Sequence, residues 1–168
     1  NGHGGRQNMS VGDGSLNSSD IEMLSNQDQL FMLYMVNCTA AAFEYSSLAE
    51  SYLENPNGGS FAVIGSTGET YSNISVNYQN VFFQHLFEDP TIRLGELYAN
   101  SLIAHDVEAQ EDSGFRWAHQ TFALLGDPSS WVRYELLETP VVSFNSSYEA
   151  GSGPLTFTVQ NEAMEPWP

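Results

Sequence analysis

The sequence contains no lysine and only four arginines, against 21 aspartates and glutamates, so its formal net charge is −17. Nucleic acids are held by clustered lysine and arginine, and anionic membrane surfaces attract the same residues. The shortage of positive charge therefore argues against a nucleic-acid partner and disfavours binding to an anionic membrane. An acidic surface of this kind is typical of a secreted or salt-adapted protein, and it is also compatible with a cationic ligand or a structural Ca²⁺ ion.

Cysteine and long apolar runs are also scarce. The single cysteine, Cys38, excludes an internal disulfide and leaves one free thiol to explain. No apolar run approaches the roughly 20 residues of a membrane-spanning helix. The sequence begins without methionine or a signal-like segment, so we expect its natural start to lie upstream. What is present is 41% apolar residues in a chain of 168, which is enough for one domain with its own core.

Two continuous apolar runs with a capped helix between them predict a β-α-β unit. The runs are residues 30–36 and 60–65, and neither alternates in polarity, which is typical of strands covered on both faces of a parallel sheet. Ser47 followed by Glu50 is the capping-box pattern at the start of the intervening helix, and Pro56 ends that helix. We therefore predict a parallel pair of strands with a right-handed crossover.

The rest of the chain divides into a helical stretch and a β-like stretch. Residues 1–17 are rich in glycine, asparagine and serine and are predicted to be loop. Apolar spacing of three and four predicts helices over residues 76–88, 92–105 and 114–125. After Pro128 the pattern changes to short β-like segments separated by turn residues. We interpret residues 139–168 as the incomplete start of a separate β-sandwich domain.

Candidate catalytic residues lie where the predicted strands end. Cys38 follows the first strand and residues 66–71 follow the second, and open α/β sheets bind ligands beyond the carboxyl ends of their strands. His3 lies in a glycine-flanked loop and could join this edge if a strand precedes it. A thiolate is a nucleophile that a nearby imidazole activates. The spacing alone leaves open that Cys38 is a small buried hydrophobe and that His3 is an ordinary loop residue.

The ordered set of motifs resembles the gingipain family of cysteine peptidases, in the C25 group of the caspase-like clan. The motifs in chain order are GHG at 2–4, LSN at 24–26, NC at 37–38, AAFEY at 41–45, LAESYLENPNGGSFAVIGST at 48–67, RLGELYANSL at 93–102 and ALLGDPS at 123–129. The resemblance implies a three-layer α/β caspase-like domain with a mostly parallel sheet. Residues 1–138 would be its C-terminal portion, and residues 139–168 would begin an immunoglobulin-like β-sandwich.

The resemblance also implies roles for individual residues. Cys38 matches the family's nucleophile, His3 its catalytic histidine, and the backbone N–H groups of Gly4 and Cys38 its oxyanion donors. The segment that lines the pocket for the residue before the scissile bond matches Ser66, Thr67, Gly68, Glu69 and Tyr71. The sequence departs from the arginine-cleaving members at Ser72, where they have tryptophan, and at Asn37, where they can have a second cysteine. The family's strands before the histidine fall outside this sequence.

The function implied is that of a secreted or cell-surface cysteine endopeptidase with a bacterial type of secretion. It would use a Cys–His dyad on protein or peptide substrates, with no metal and no cofactor in the reaction, and a Ca²⁺ ion would be structural. Water would complete hydrolysis, and an amine would complete transpeptidation, as in the family's sortase-like members. The missing N-terminal half of the domain would be a partner of this segment. The alternative is a non-catalytic cell-surface or assembly protein that keeps the fold as a scaffold.

Other noticeable side chains favour structural interpretations. Trp117 and Trp131 are predicted to be core residues, because large aromatic side chains dominate cores. Asp13, Ser15 and Asn17 alternate oxygen-bearing side chains in a loop, as a Ca²⁺ site would. The glycine and terminal glutamate spacing of an EF-hand is absent, so a metal there is the less favoured interpretation.

Overall fold

A computed structural model of the chain describes residues 3–27 and 29–132, together with two short strands further along. The chain divides into two compact units, Asn1–Val132 and Arg133–Pro168. The strands of the first unit are β1 (Asn8–Val11), β2 (Gly14–Asn17), β3 (Phe31–Tyr34), β4 (Ser60–Ser66) and β5 (Phe122–Gly126). Its helices are α1 (Ser18–Glu22), α2 (Leu48–Glu54), α3 (Ser72–Glu88), α4 (Leu94–Ile103), α5 (Asp106–Glu111) and α6 (Ser113–Thr121). Within the described residues no helix is long and apolar enough to cross a bilayer.

The central sheet has the strand order β3-β4-β5. Strands β3 and β4 are parallel and α2 connects them, which confirms the predicted β-α-β unit. Strand β5 pairs with β4 in the antiparallel direction, so that Phe122 lies opposite Ser66. The sheet that the structure describes is therefore mixed, and the prediction of a mostly parallel sheet is wrong for these strands. The apolar pattern predicted a helix at the residues of β5, so it gave no sign of this antiparallel pairing.

Two helices of the first unit begin with capping boxes. In α2 the Ser47 hydroxyl accepts the Glu50 N–H at 3.3 Å, and the Glu50 carboxylate accepts the Ser47 N–H at 2.9 Å, as the sequence predicts. In α1 the Asn17 amide oxygen accepts the Ser19 N–H, and the Asp20 carboxylate accepts the Asn17 N–H. Each box satisfies two N–H groups that a helix end leaves unpaired. One residue of the candidate Ca²⁺ trio therefore has its side-chain oxygen in a helix cap.

The core lies on the elements that flank β3 and β4. One cluster of buried side chains joins α1, α2 and the two strands, and includes Ile21, Met35, Leu48 and Val63. Helices α3 and α4 bury a further set, Tyr78, Phe82, Leu94 and Leu97. Each large apolar side chain that is fully buried contributes about 1.5–3 kcal/mol relative to an exposed one. These contacts hold the carboxyl ends of β3 and β4 in place.

Three sequence predictions differ from the structure. Residues 8–17, predicted to be loop, form the antiparallel hairpin β1-β2, and its two-residue turn has Gly12 at φ +57°. The helix predicted over 114–125 ends at Thr121, and the following residues form β5. Trp117 and Trp131 are not core residues, since their exposed fractions are 44% and 42%.

The second unit is described only by its strands β6 (Val141–Ser143) and β7 (Thr158–Gln160). They pair in the antiparallel direction, with Val142 opposite Val159. Other residues of the predicted β-sandwich lie outside the described part of the chain, so the sandwich stays a prediction.

Candidate active site

Cys38 begins a turn that follows β3. Hydrogen bonding to β4 continues beyond the strand to Met35, whose N–H donates to the Ile64 carbonyl at 2.7 Å. Cys38 is partly buried, and the next residue, Thr39, has φ +53°. A β-branched residue is rare in this left-handed region and persists there only where the surrounding structure holds it. The thiol is therefore carried on a strained turn at the carboxyl edge of the sheet.

Residues 66–71, which comprise the last residue of β4 and the loop that follows it, run beside this turn and are called the loop 66–71. The Thr39 N–H donates to the Gly68 carbonyl at 2.8 Å. The Thr70 N–H donates to Cys38 Sγ at 3.5 Å, and Sγ–H in turn donates to the Thr70 carbonyl at 3.8 Å. The structure thus brings Cys38 together with the segment predicted to line the substrate pocket. The backbone of Thr70 thus contacts the sulfur through both its N–H and its carbonyl.

The predicted pocket residues at the start of the loop are engaged within the protein. Ser66 is buried, and its hydroxyl donates to the Gly68 carbonyl at 3.0 Å and accepts the Gly68 N–H at 3.3 Å. The N–H and the hydroxyl of Thr67 both donate to the Thr121 carbonyl, at 2.8 and 3.1 Å. These bonds fix the start of the loop on β4 and on the end of α6.

The end of the loop faces solvent. Glu69 is exposed, and Tyr71 has an exposed fraction of 58%. Tyr71 borders a shallow groove with Ile74, Asp112 and Trp117. An aromatic wall and a carboxylate are groups that a substrate side chain could contact.

The predicted oxyanion donor Gly4 lies against the residue that precedes the thiol. A Cβ built on Gly4 would lie 2.7 Å from Nδ2 of Asn37 and equally close to the carbonyl oxygen of Asn8 in β1, so that no side chain fits there. His3 itself is exposed, and its carbonyl accepts the Ser10 N–H at 2.8 Å. The chain segments that carry His3 and Cys38 therefore touch at this end of the sheet.

The amide of Asn37 is unusual. Its exposed fraction is 2%, and neither Oδ1 nor Nδ2 has a hydrogen-bond partner among the residues that the structure describes. Leaving a buried amide unpaired costs about 1–3 kcal/mol. The position between Gly4 and Cys38 thus carries unused hydrogen-bonding capacity.

Sequence reasoning missed Thr70 and Trp117 as members of this region. Thr70 contacts sulfur through its backbone, which no residue type reveals. Size alone places Trp117 in the core, although α6 is short and buries only Ala118 and Thr121 among its nine residues. No group of three or more His, Cys, Asp or Glu suited to a metal occurs within the described ranges.

Comparisons with known proteins identify a family and a fold. The sequence profile of peptidase family C25 matches residues 1–133. Against solved structures, the complex of the pro- and mature domains of RgpB from Porphyromonas gingivalis gives a TM-score of 0.68 at 23% identity, over 94% of this chain and 39% of that chain. The Arg-specific cysteine proteinase gingipain R (RgpB) gives 0.62 at 22%, over 94% and 38%. A structure described as a protease gives 0.71 at 16%, over 95% and 40%.

No curated protein sequence matches the chain significantly. The chain spans about two fifths of the length of the solved chains that it resembles. At these identities the likeness to solved structures shows a shared α/β fold.

Proposed function

The chain belongs to peptidase family C25, and from this premise we propose that it carries the Cys–His dyad of a cysteine endopeptidase, with Cys38 as nucleophile and His3 as its base. The observation that carries the proposal is the position of Cys38. It follows β3 at the carboxyl edge of the sheet, on a strained turn, with the Thr70 N–H on its sulfur. A structural cysteine needs neither the strain nor the donor.

In the proposed reaction, His3 takes the thiol proton and the Cys38 thiolate attacks the scissile carbonyl carbon. The carbonyl becomes an oxyanion, which the N–H groups of Gly4 and Cys38 stabilise. The C–N bond then breaks, the imidazolium of His3 gives its proton to the leaving amine, and a thioester on Cys38 remains. Water completes hydrolysis, whereas an acceptor amine completes transpeptidation.

Substrate recognition is assigned to the loop after β4. We propose that Ser66, Thr67 and Gly68 shape the floor of the pocket, because their polar groups are bonded within the protein. Glu69 and Tyr71 are exposed and would contact the substrate itself. A carboxylate at Glu69 favours a cationic group on a protein or peptide substrate.

The remaining parts of the proposal concern the whole protein. We infer a three-layer caspase-like domain followed by an immunoglobulin-like sandwich, located outside the cell or on its surface after bacterial-type secretion. One solved structure similar to this chain is a complex of pro- and mature domains. We propose the N-terminal half of the same domain as the partner of this segment, because the chain matches only about two fifths of the length of the solved chains. A Ca²⁺ ion, if bound, would be structural.

The test is alkylation of Cys38 by iodoacetamide as a function of pH. Because the sequence has one cysteine, the label reports on this thiol alone. An ordinary thiol, with a pKa near about 8.5, is less than about 1% thiolate at pH 6 and reacts slowly there. We expect rapid labelling of the wild type near pH 6, slowed roughly tenfold by His3→Ala, as a coupled Cys–His pair requires.

His85→Ala is the matched control, since His85 is a partly exposed histidine that lies in α3 beside Glu88. It should leave the labelling rate unchanged. Slow labelling that is indifferent to His3→Ala would contradict the dyad. That outcome would favour the non-catalytic scaffold instead.

A further inference from the structure

Trp117 makes a specific bond although it lies at the surface. Its exposed fraction is 44%, yet its indole N–H donates to the carbonyl of Glu69 at 2.6 Å. The bond joins α6 to the middle of the loop 66–71. A surface tryptophan retained only for packing would not need this donor.

The indole ring also sets how closely the loop can approach α6. A Cβ built on Gly68 would lie 3.0 Å from the ring of Trp117 and 3.2 Å from Cγ2 of Thr121. Only glycine therefore lets the backbone rest against the ring without displacement. Thr67 adds two hydrogen bonds to the Thr121 carbonyl. Helix α6 therefore contacts three consecutive residues of the loop, 67–69.

The opposite side of the same segment faces the nucleophile turn. The Gly68 carbonyl accepts the Thr39 N–H at 2.8 Å, and the Thr70 N–H donates to Cys38 Sγ at 3.5 Å. Residues 68–70 therefore form a strip between Trp117 and Cys38. If the strip moves, the distance between the Thr70 N–H and Cys38 Sγ changes with it.

We propose that Trp117 is a positioning residue for the nucleophile, which holds residues 68–70 against the turn so that the Thr70 N–H stays on Cys38 Sγ. The inference rests on the proposed function, in which Cys38 reacts as a thiolate. Trp117 touches neither the sulfur nor the scissile bond in this scheme. It acts through the Glu69 carbonyl and the glycine beside it.

Trp117→Phe tests the inference, because phenylalanine keeps an aromatic ring and removes the N–H donor. Trp131→Phe is a closely matched control. Trp131 has an exposed fraction of 42%, and its indole N–H donates to the Thr91 carbonyl at 3.0 Å. The guanidinium carbon of Arg93 lies 4.0 Å from the centroid of the Trp131 ring. Both variants lose one indole bond to a carbonyl, but only Trp117 contacts the loop.

Two readouts are needed, and both use the 168-residue chain. The first is the pH profile of Cys38 alkylation, which a merely structural tryptophan would not move. We expect Trp117→Phe to shift the profile to higher pH and to slow labelling near pH 6 about five- to tenfold, since a hydrogen bond to a charged atom is lost or lengthened. Trp131→Phe should leave the profile unchanged.

The second readout is hydrogen exchange of the backbone N–H groups of Thr39 and Thr70, which reports the position of the loop independently of thiol chemistry. Faster exchange at both positions in Trp117→Phe, but not in Trp131→Phe, supports the inference. Unchanged exchange and an unchanged pH profile overturn it. If wild-type Cys38 labels slowly and ignores His3→Ala, the proposed function fails. Exchange at Thr39 and Thr70 then still decides whether Trp117 positions the loop.

Gly68→Ala provides a second route to the same displacement if Trp117→Phe does not fold. The added methyl would contact the indole and push the strip away from it. We expect slower labelling near pH 6 and faster exchange at Thr39 and Thr70, as in Trp117→Phe, because the added methyl displaces the same strip. Unchanged labelling and unchanged exchange in Gly68→Ala would overturn the inference.

Discussion

Thr39 concentrates strain directly beside the candidate nucleophile. Its φ of +53° lies in the left-handed region, which costs an L-residue roughly 1–2 kcal/mol. Its N–H is nevertheless bonded to the Gly68 carbonyl, so the turn and the loop hold each other in place. The conformation is therefore an integral part of the site, because relaxing it would move both Cys38 and the loop.

We expect Thr39→Asn to raise the free energy of unfolding by about 1 kcal/mol, because asparagine adopts the left-handed region more readily than a β-branched residue. Urea denaturation measures the change. Thr39→Val is the control, since it keeps the branch at Cβ and loses only the hydroxyl, and it should give no gain. A loss of stability in Thr39→Asn would show that the Thr39 side chain, and not its backbone strain, dominates at this position.

At the scale of whole elements, apolar pattern and helix caps predicted the β3-α2-β4 unit and its parallel pairing. The pattern failed for the hairpin β1-β2 and for the strand β5. The hairpin β1-β2 is mostly polar and exposed, so no alternation revealed it. The residues of β5 continue the apolar pattern of α6, and this pattern is compatible with either a helix or a strand. The edge of β4, with which β5 pairs, decides for a strand, and the local sequence does not reveal that edge.

Gly126 is one reason why residues 122–126 pair with β4 as a strand instead of continuing a helix. Its φ is +130°, and a Cβ built on it would lie 2.8 Å from the Phe61 carbonyl oxygen and 2.9 Å from Ala62. Glycine thus permits the close approach of β5 to β4. We expect Gly126→Ala to reduce the free energy of unfolding by at least about 3 kcal/mol, through strain and lost pairing.

Gly12→Ala separates the two contributions. Gly12 has φ +57° in the hairpin turn, and a Cβ built on it would meet nothing within 4 Å. This variant should therefore lose only the backbone contribution of about 1 kcal/mol. Guanidinium denaturation of both variants gives the comparison. Equal losses would mean that close packing at Gly126 contributes nothing.

For the molecule as a whole, the order of the sequence motifs predicted the family, which the composition alone did not. The resemblance to gingipain-type peptidases is confirmed by the family match over residues 1–133. Of the site, the edge carrying Cys38 and the loop 66–71 could be predicted, because both follow apolar strands. The bond from Trp117, the strain at Thr39 and the unpaired amide of Asn37 could not, since each arises from contacts between segments far apart in sequence.

Buried tyrosines should limit the pH range of the folded chain. Burial raises the pKa of Tyr34, Tyr52 and Tyr98 above the usual value, and burial, then Glu108 and Asp106, raises the pKa of Tyr78 to about 12. The folded state therefore resists a deprotonation that the unfolded state permits. This contribution to stability is fully present below about pH 10 and is lost as the pH rises through the folded-state values.

Tyr34 provides the sharpest test of this alkaline limit. Its ring packs at 5.3 Å from that of Phe82 and 5.9 Å from that of Phe122, where a phenolate is poorly solvated. We expect the stability of Tyr34→Phe relative to the wild type to be about 1 kcal/mol greater at about pH 11 than at neutral pH, because the unfolded variant has one fewer tyrosine to ionise. Urea denaturation at the two pH values measures this difference. Tyr45→Phe is the control, since the ring of Tyr45 is exposed and lies beneath Arg6. A similar gain in stability at about pH 11 in that variant would show that burial of Tyr34 is not the cause.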